Sequence, residues 1–594
     1  MWAFLILESS LVKIGKNDLP FKHEGKSMTS TNKNSEVSDH IQQFHTAEAE
    51  IVAKNIHHGS ATLFADDEKA VDLFTVKQAS DWATKYLNKK VTPSNISYLV
   101  QYGRVKKFGT NGDLLVRKQD LVKYYDSYLG KREIKWKNQL GHDLNWELSF
   151  DQLREADTTK HVHRLHPYKG KFIPQLVQYF LDRHTDDFKR KAYFHEGDIV
   201  LDPFCGSGTT LVQASELGMH AIGIDVSVFN SMISNIKVGK YDLGSLYNEI
   251  RKITDQLRAF ISDSNTVVFE SRLLAALQKF NDQCFPVPDF KYKVRRGQID
   301  EDQYGEEKAK EFLLIYRKLV TEYKIKLNNQ KGESFLDKWY LQHVRTEIDF
   351  IFRLIQSVKD ENLRKVANVI LSRTIRSCRA TTHSDLATLK EPITTTYYCS
   401  KHGKICKPLF SILSWWERYG EDTITRLAQF DKLRSDTHQV CLTGDSRNIN
   451  IFDALEKSNS QFAKLVRRQK IQGIFSSPPY VGLIAYHEQH AYAYDLFKFE
   501  RRDELEIGHL FKGQGKEARD SYVEGVAAVL NNCKQYLAKD ADVFLVANDK
   551  YNLYPTIAKN SGMKIVNEFK RPVLNRTERD RNAYSETIFH LKVV

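Results

Sequence analysis

No apolar run in this 594-residue chain approaches the roughly 18 residues that cross a bilayer, so the text offers no membrane span. Cysteine is scarce. Seven scattered thiols form no dense, even framework, which fits a reduced, cytoplasmic protein rather than a disulfide scaffold. The start, MWAFLILESSLVKIGK, has a short greasy patch but neither a basic leader nor a small-residue cleavage site. Met28 opens a polar stretch, MTSTNKNSEVSDH, and is an alternative translation start. What is present is ordinary globular composition, 41% hydrophobic and 27% charged. The length calls for roughly three or four domains. A formal charge of +13 suits a polyanionic partner, although membrane-surface and merely soluble proteins share that bias.

Residues 1–68 read as a poorly ordered segment, polar from Met28 onward. In 69–130 the text becomes compact. Its period predicts a helix with Val76, Ala79, Trp82 and Ala83 inward, a turn through VTPSN, and a second helix ending at Gly103. RVKKFGTNGDLLV then reads as a hairpin around Asn111-Gly112. The whole resembles a winged helix-turn-helix of the MerR/excisionase type. That resemblance implies that the helix from about Ser94 to Tyr102 enters the major groove, with Lys106, Lys107 and Arg117 near phosphates. A protein-docking module is the alternative reading.

The chemistry begins at EGDIVLDPFCGSGTTLVQASELGMHAIGIDVS, from residue 196. DIVLD is a continuous apolar run of the buried parallel type, PFCGSG turns tightly, and TTLVQASELG has helical spacing. HAIGID ends on Asp225, about twenty residues past the glycines, where an acid holds ribose hydroxyls in nucleotide-binding βαβ units. Gly206 and Gly208 permit close backbone approach. The third glycine of the dinucleotide fingerprint is missing, though a lone glycine loop can serve a dinucleotide too.

DPFCGSGTT resembles the cofactor loop of the amino-methylating DNA methyltransferases, which bind S-adenosylmethionine. The resemblance implies cofactor contacts from Asp202, Phe204, Cys205, Gly206, Gly208, Thr209 and Asp225. Upstream, HRLHPYKGKFIPQLVQYFL resembles the segment before that loop, with Phe172 and Pro174 at its aromatic and proline positions. An amphipathic core helix is the competing reading. Downstream, VCLTGDSRNI reads as a strand ending at Asp445, which resembles the acid near the adenine amino group. In IFSSPPYVGLIAY the prolines must end a strand. Ser477-Pro478-Pro479-Tyr480 there resembles the catalytic tetrapeptide of the family. In that setting a side-chain oxygen and a proline carbonyl accept the two N–H bonds of an exocyclic amino group. Tyr480 offers a face to the flipped base. In that family serine in the first position accompanies cytosine targets more often, so the resemblance implies cytosine N4, with adenine N6 as the alternative.

The fold so implied is α/β: a Rossmann-like seven-stranded methyltransferase sheet with a reversed final hairpin, preceded by the small winged helix-turn-helix and interrupted by a large, mostly helical insertion. The expected divisions are 150–235, the cofactor-binding half; 236–438, the insertion and candidate for target recognition; and 439–594, the catalytic half. HEQHAYAYDLFKFERRDEL, after the tetrapeptide, mixes basic residues with rings and reads either as a DNA-facing flap or as an ordinary amphipathic helix. Within the insertion, Cys399, His402 and Cys406 lie close together with Cys378 upstream. Unliganded thiols are expected there, no metal site is assigned, and zinc is the alternative. The function so implied is site-specific methylation of double-stranded DNA, with a cognate restriction endonuclease as candidate partner. RNA or protein methylation and a degenerate DNA-binding regulator are the competing classes.

Overall fold

The computed structural model describes residues 73–594, apart from 88–89, 102–103, 110–113, 127, 154, 263, 329–331, 384–390 and 575–582. The expectations for residues 1–68, Met28, the Gly103 stop and the Asn111-Gly112 turn lie outside these. The chain divides into two compact units, Met1–Gly130 and Lys131–Val594.

In the first unit, Leu73–Thr75 is a short strand whose last residue caps the helix Val76–Tyr86. Thr75 and Gln78 form a capping box, each side chain accepting from the other's backbone N–H. A second helix, Pro93–Gln101, starts on its proline, where the missing N–H costs nothing. Lys107–Phe108 and Leu115–Arg117 pair antiparallel, and Leu73–Thr75 adds to the other side of Leu115–Arg117. The first helix buries Ala79, Ser80 and Ala83, while Trp82 stays partly exposed and stacks on Tyr86 at 4.7 Å. The expected inward Trp82 is thus a flanking residue. The small side chains let the helix approach instead. Arg117 lies over the Phe108 ring at 4.7 Å.

The second unit is built on a seven-stranded sheet. Its strands are β1 (Ile199–Asp202), β2 (His220–Asp225), β3 (Gln439–Thr443), β4 (Ile471–Ser476), β5 (Leu537–Ala547), β6 (Met563–Pro572) and β7 (Ser585–Val593). Their spatial order is 3-2-1-4-5-7-6, and only β7 runs against the rest. Both faces are covered, so the strand side chains alternate between two cores. Val200, Phe475, Phe544 and Val546 face one. Ile199, Leu201, Ile474, Val543 and Leu545 face the other. The edge strand β6 is met by residues 144–145, where Asn145 N–H donates to the Lys570 carbonyl at 2.7 Å.

Between β2 and β3 the chain makes mainly helices, among them Leu243–Ser262, Asn265–Cys284, Glu301–Glu322, Gln342–Gln356, Glu361–Ser377 and Leu413–Asp431. Leu243–Ser262 turns Leu246, Ile250, Ile253, Leu257 and Ile261 inward at helical spacing. Thr254, on the same face, receives the Trp416 indole N–H at 2.9 Å. These residues share one core with Phe180, Phe229 and Phe475 from the sheet region. The insertion therefore packs as part of the second unit: the chain leaves the sheet at Asp225 and rejoins it at Gln439, and position 236 falls inside the helix Val228–Val238. No helix among the described residues is long and apolar enough to cross a membrane.

Candidate active site

A cleft of about 850 Å³, counting the solvent at its mouth, opens at the carboxyl ends of β1, β2, β3 and β4. Parallel α/β sheets place ligands here, because the strand order reverses beside β1 and the neighbouring loops diverge. The glycine loop after β1 forms one wall. Gly206 and Gly208 have φ of +53° and +75°, which side chains rarely tolerate. At Gly208 a Cβ would also come within 2.9 Å of Ser234. The helix Val228–Val238 holds the loop from behind: Ser234 Oγ donates to the Gly206 carbonyl and Lys237 Nζ to the Ser207 carbonyl. Lys237 is fully buried, and that burial holds its ammonium well below the usual lysine range.

Asp225, at the end of β2, stands at the centre of the cleft wall. Its carboxylate accepts from the N–H groups of Gly206 and Ser227, each at 2.8 Å, and from Asn230 Nδ2 at 3.1 Å. Burial still wins over these donors and raises its pKa to about 6. Asp202, at the end of β1, is buried beneath the loop and likewise raised to about 6 by desolvation. It accepts from Ser476 Oγ at 2.6 Å, which ties β1 to β4.

Of the residues singled out from the sequence, Phe172, Phe204, Cys205, Gly206, Thr209, Asp225, Ser477 and Pro479 line the cleft together. Asp202, Gly208 and Pro478 support it from outside the wall. Asp445 is not a lining residue, and it braces the turn by accepting from the Arg447 N–H at 3.0 Å. Arg447, two residues along the same turn, clasps both its oxygens at 2.7–3.0 Å, while Gly444 and Ser446 on either side face the cleft. Tyr480 also lies outside the wall, its hydroxyl donating to Glu586 at 2.6 Å. In the stretch 487–505, His487, His490, Tyr492, Tyr494 and Leu496 are buried, Lys498, Glu500 and Arg502 are exposed, and His487 and Leu505 line the cleft.

Several lining residues escaped the sequence reading. Tyr168 and Tyr486 stack at 5.7 Å, and Glu506 accepts the backbone N–H groups of Tyr486 and His487. Tyr168 sits in the HPYKGKF string already noted, so proximity to Phe172 was its one signal. Lys171, brought down to about 8 by burial, donates to the His163 carbonyl.

The residues fit an adenosyl cofactor. The Asn230 Oδ1 and Ser207 Oγ atoms are buried in the wall without a hydrogen-bond partner, next to the Asp225 carboxylate. A ligand with neighbouring hydroxyl and amine groups satisfies such a set.

Comparison with known proteins agrees. The DNA methylase family of N6/N4 type matches residues 27–231. The chain is 46% identical to the Type II methyltransferase M.MjaII of Methanocaldococcus jannaschii, over 89% of this chain and 98% of that one. Shorter matches are to M2.DpnII of Streptococcus pneumoniae, 36% identical over 16% of this chain and 34% of that one, and to M.BsoBI of Geobacillus stearothermophilus, 32% over 17% and 19%. The chain belongs to the Type II DNA methyltransferases of the amino-methylating N6/N4 family, and its methyl donor is S-adenosylmethionine.

Proposed function

We propose that this protein methylates the N4 amino group of cytosine at one short sequence in double-stranded DNA, as the modification enzyme of a restriction system with a cognate endonuclease. The observation that carries the proposal is the position of Ser477. It lies where β4 ends, in the cleft wall, and its hydroxyl proton is committed to the Val546 carbonyl at 3.0 Å. The oxygen lone pairs are thereby left to accept.

An exocyclic amino group is a poor nucleophile, since its lone pair is delocalised into the base. Ser477 Oγ and a proline carbonyl of the tetrapeptide accept its two N–H bonds and favour tetrahedral nitrogen, freeing the lone pair to attack. The cofactor would supply an electrophilic methyl group: the N–CH3 bond forms as the S–CH3 bond breaks to leave a neutral thioether, and the nitrogen then loses one proton to water. Asp225, with Asn230 and Ser207, binds the ribose end, and Phe172 lies toward the methionine end. Phe204, Cys205, Gly206, Gly208 and Thr209 shape the loop, and Asp202 braces it. Because Arg447 occupies Asp445, the adenine end falls instead to Gly444 and Ser446. Tyr480, held by Glu586, borders the space for the flipped base.

The unit spanning 69–130 acts as the winged helix-turn-helix that adds phosphate contacts, and residues 236–438 read the target sequence. Adenine N6 is the second reading, because the same acceptors suit its amino group. Single-molecule sequencing of DNA from cells expressing the protein tests the proposal. A modified cytosine at one recurring motif is expected, and unmodified DNA overturns the reading.

A further inference from the structure

The insertion carries a second built site. His383, Cys399, His402 and Cys406 each bring one ligand atom to within 4.8 Å of the other three. Cys399 Sγ is 3.9 Å from His383 Nδ1, and Cys406 Sγ is 3.4 Å from His402 Nδ1. A sulfur and a nitrogen on one tetrahedral zinc are about 3.6 Å apart, given the usual bond lengths. We propose that these four side chains form a closed, structural Cys2His2 zinc site.

The local fold supports it. Tyr397–Cys399 and Lys404–Cys406 form a hairpin of three residues a side. A ladder so short does not hold itself together. Its turn is a tight knuckle, in which the Cys399 carbonyl accepts the N–H groups of both His402 and Gly403, at 3.0 and 2.7 Å. Gly403, at φ +62°, makes that turn possible. The knuckle brings His402 back beside the two cysteines, which lie diagonally across the hairpin, Cys399 opposite Lys404 and Cys406 opposite Tyr397, and are buried. His383 arrives from the segment that follows the helix Glu361–Ser377, and the Tyr397 hydroxyl, 2.8 Å from its Nδ1, holds the ring.

The sequence alone had suggested Cys378 as the fourth ligand and thiols without metal as the outcome. Cys378 instead belongs to the hydrophobic core and is absent from the cluster. His383 takes its place. Two thiols and two imidazoles complete the shell, so no position stays open for water or substrate, and none of the four residues lines the cleft. The metal clamps the segment after Glu361–Ser377 to the hairpin, a fold-stabilising role.

The test is elemental analysis of the full-length protein, purified without chelators or a metal-affinity tag. One zinc per chain is expected, and cobalt(II) taken up in its place should give the visible absorption of a tetrahedral thiolate site. The Cys399→Ser/Cys406→Ser double variant should lose both signals, while Cys378→Ser should keep them. His402→Gln, which spares the thiols, should release zinc to a colorimetric chelator faster than the parent does. Three results overturn the proposal: native protein that neither contains nor takes up zinc or cobalt, zinc retained by the double variant, or a Cys399–Cys406 disulfide found by mass mapping of the unreduced protein.

Discussion

The Ser477 hydroxyl donates to the backbone carbonyl of Val546, 3.0 Å away on the adjacent strand β5. A hydroxyl can donate or accept, and here the sheet decides which. The accepting role is needed chiefly as the amino nitrogen becomes tetrahedral. Ser477→Ala should therefore lower the single-turnover methylation rate by roughly 10²–10³ while leaving S-adenosylmethionine affinity near that of the parent. Equal rates in the two proteins would remove Ser477 from the chemistry.

Cofactor binding should weaken in acid. Burial raises the free-state pKa of Asp225 to about 6. In the proposed binding mode ribose hydroxyls donate to the carboxylate, so the bound-state pKa lies lower. Affinity is then full above the free-state value and falls as the pH drops through about 6. Asp202 titrates in the same range, which makes the Asp225→Asn variant the necessary control. Calorimetry should show an acid loss in the parent and a flatter, weaker profile in Asp225→Asn. Asp225→Ala should cost about 1–3 kcal/mol of binding.

Tyr480 and Glu586 give a separable pair. Tyr480→Phe keeps the ring and removes the bond to Glu586, so it should cost about 0.5–1.5 kcal/mol of stability and little turnover. Tyr480→Ala should weaken capture of the flipped base by about 1–3 kcal/mol, read from a fluorescent base analogue at the target position. Identical fluorescence in Tyr480→Ala and the parent would show that the base stacks elsewhere.

The strand text was legible where burial is two-sided. IVLD, HAIGID and IQGIFS are apolar runs that end on or beside the site, and they do so because parallel strands deliver their carboxyl ends to one edge. What the text did not show came from local competitions and long-range arrivals. Arg447 captures Asp445 within a single turn, which no strand-end rule anticipates. Glu506 reaches Tyr486 across twenty residues that include the short helices Tyr486–Gln489 and Ala491–Phe497, and His383 reaches its hairpin past Cys378. Neither follows from period or composition. Trp82 looked inward by spacing, yet alanines give closer packing between short helices.

Removing residues 1–130, the whole first unit, should weaken DNA binding and flatten its dependence on salt, because phosphate contacts release counterions. Methylation by the remaining unit should persist at high protein concentration. An unchanged salt slope would assign the first unit to protein docking.

The central claim is amino-group methylation of DNA, on cytosine. It is tested most directly by treating unmodified DNA with the purified protein and S-adenosylmethionine, digesting to nucleosides, and separating them by mass spectrometry. The account predicts N4-methyldeoxycytidine. N6-methyldeoxyadenosine in its place would contradict the choice of base, and DNA with no methylated amino group would contradict the account as a whole.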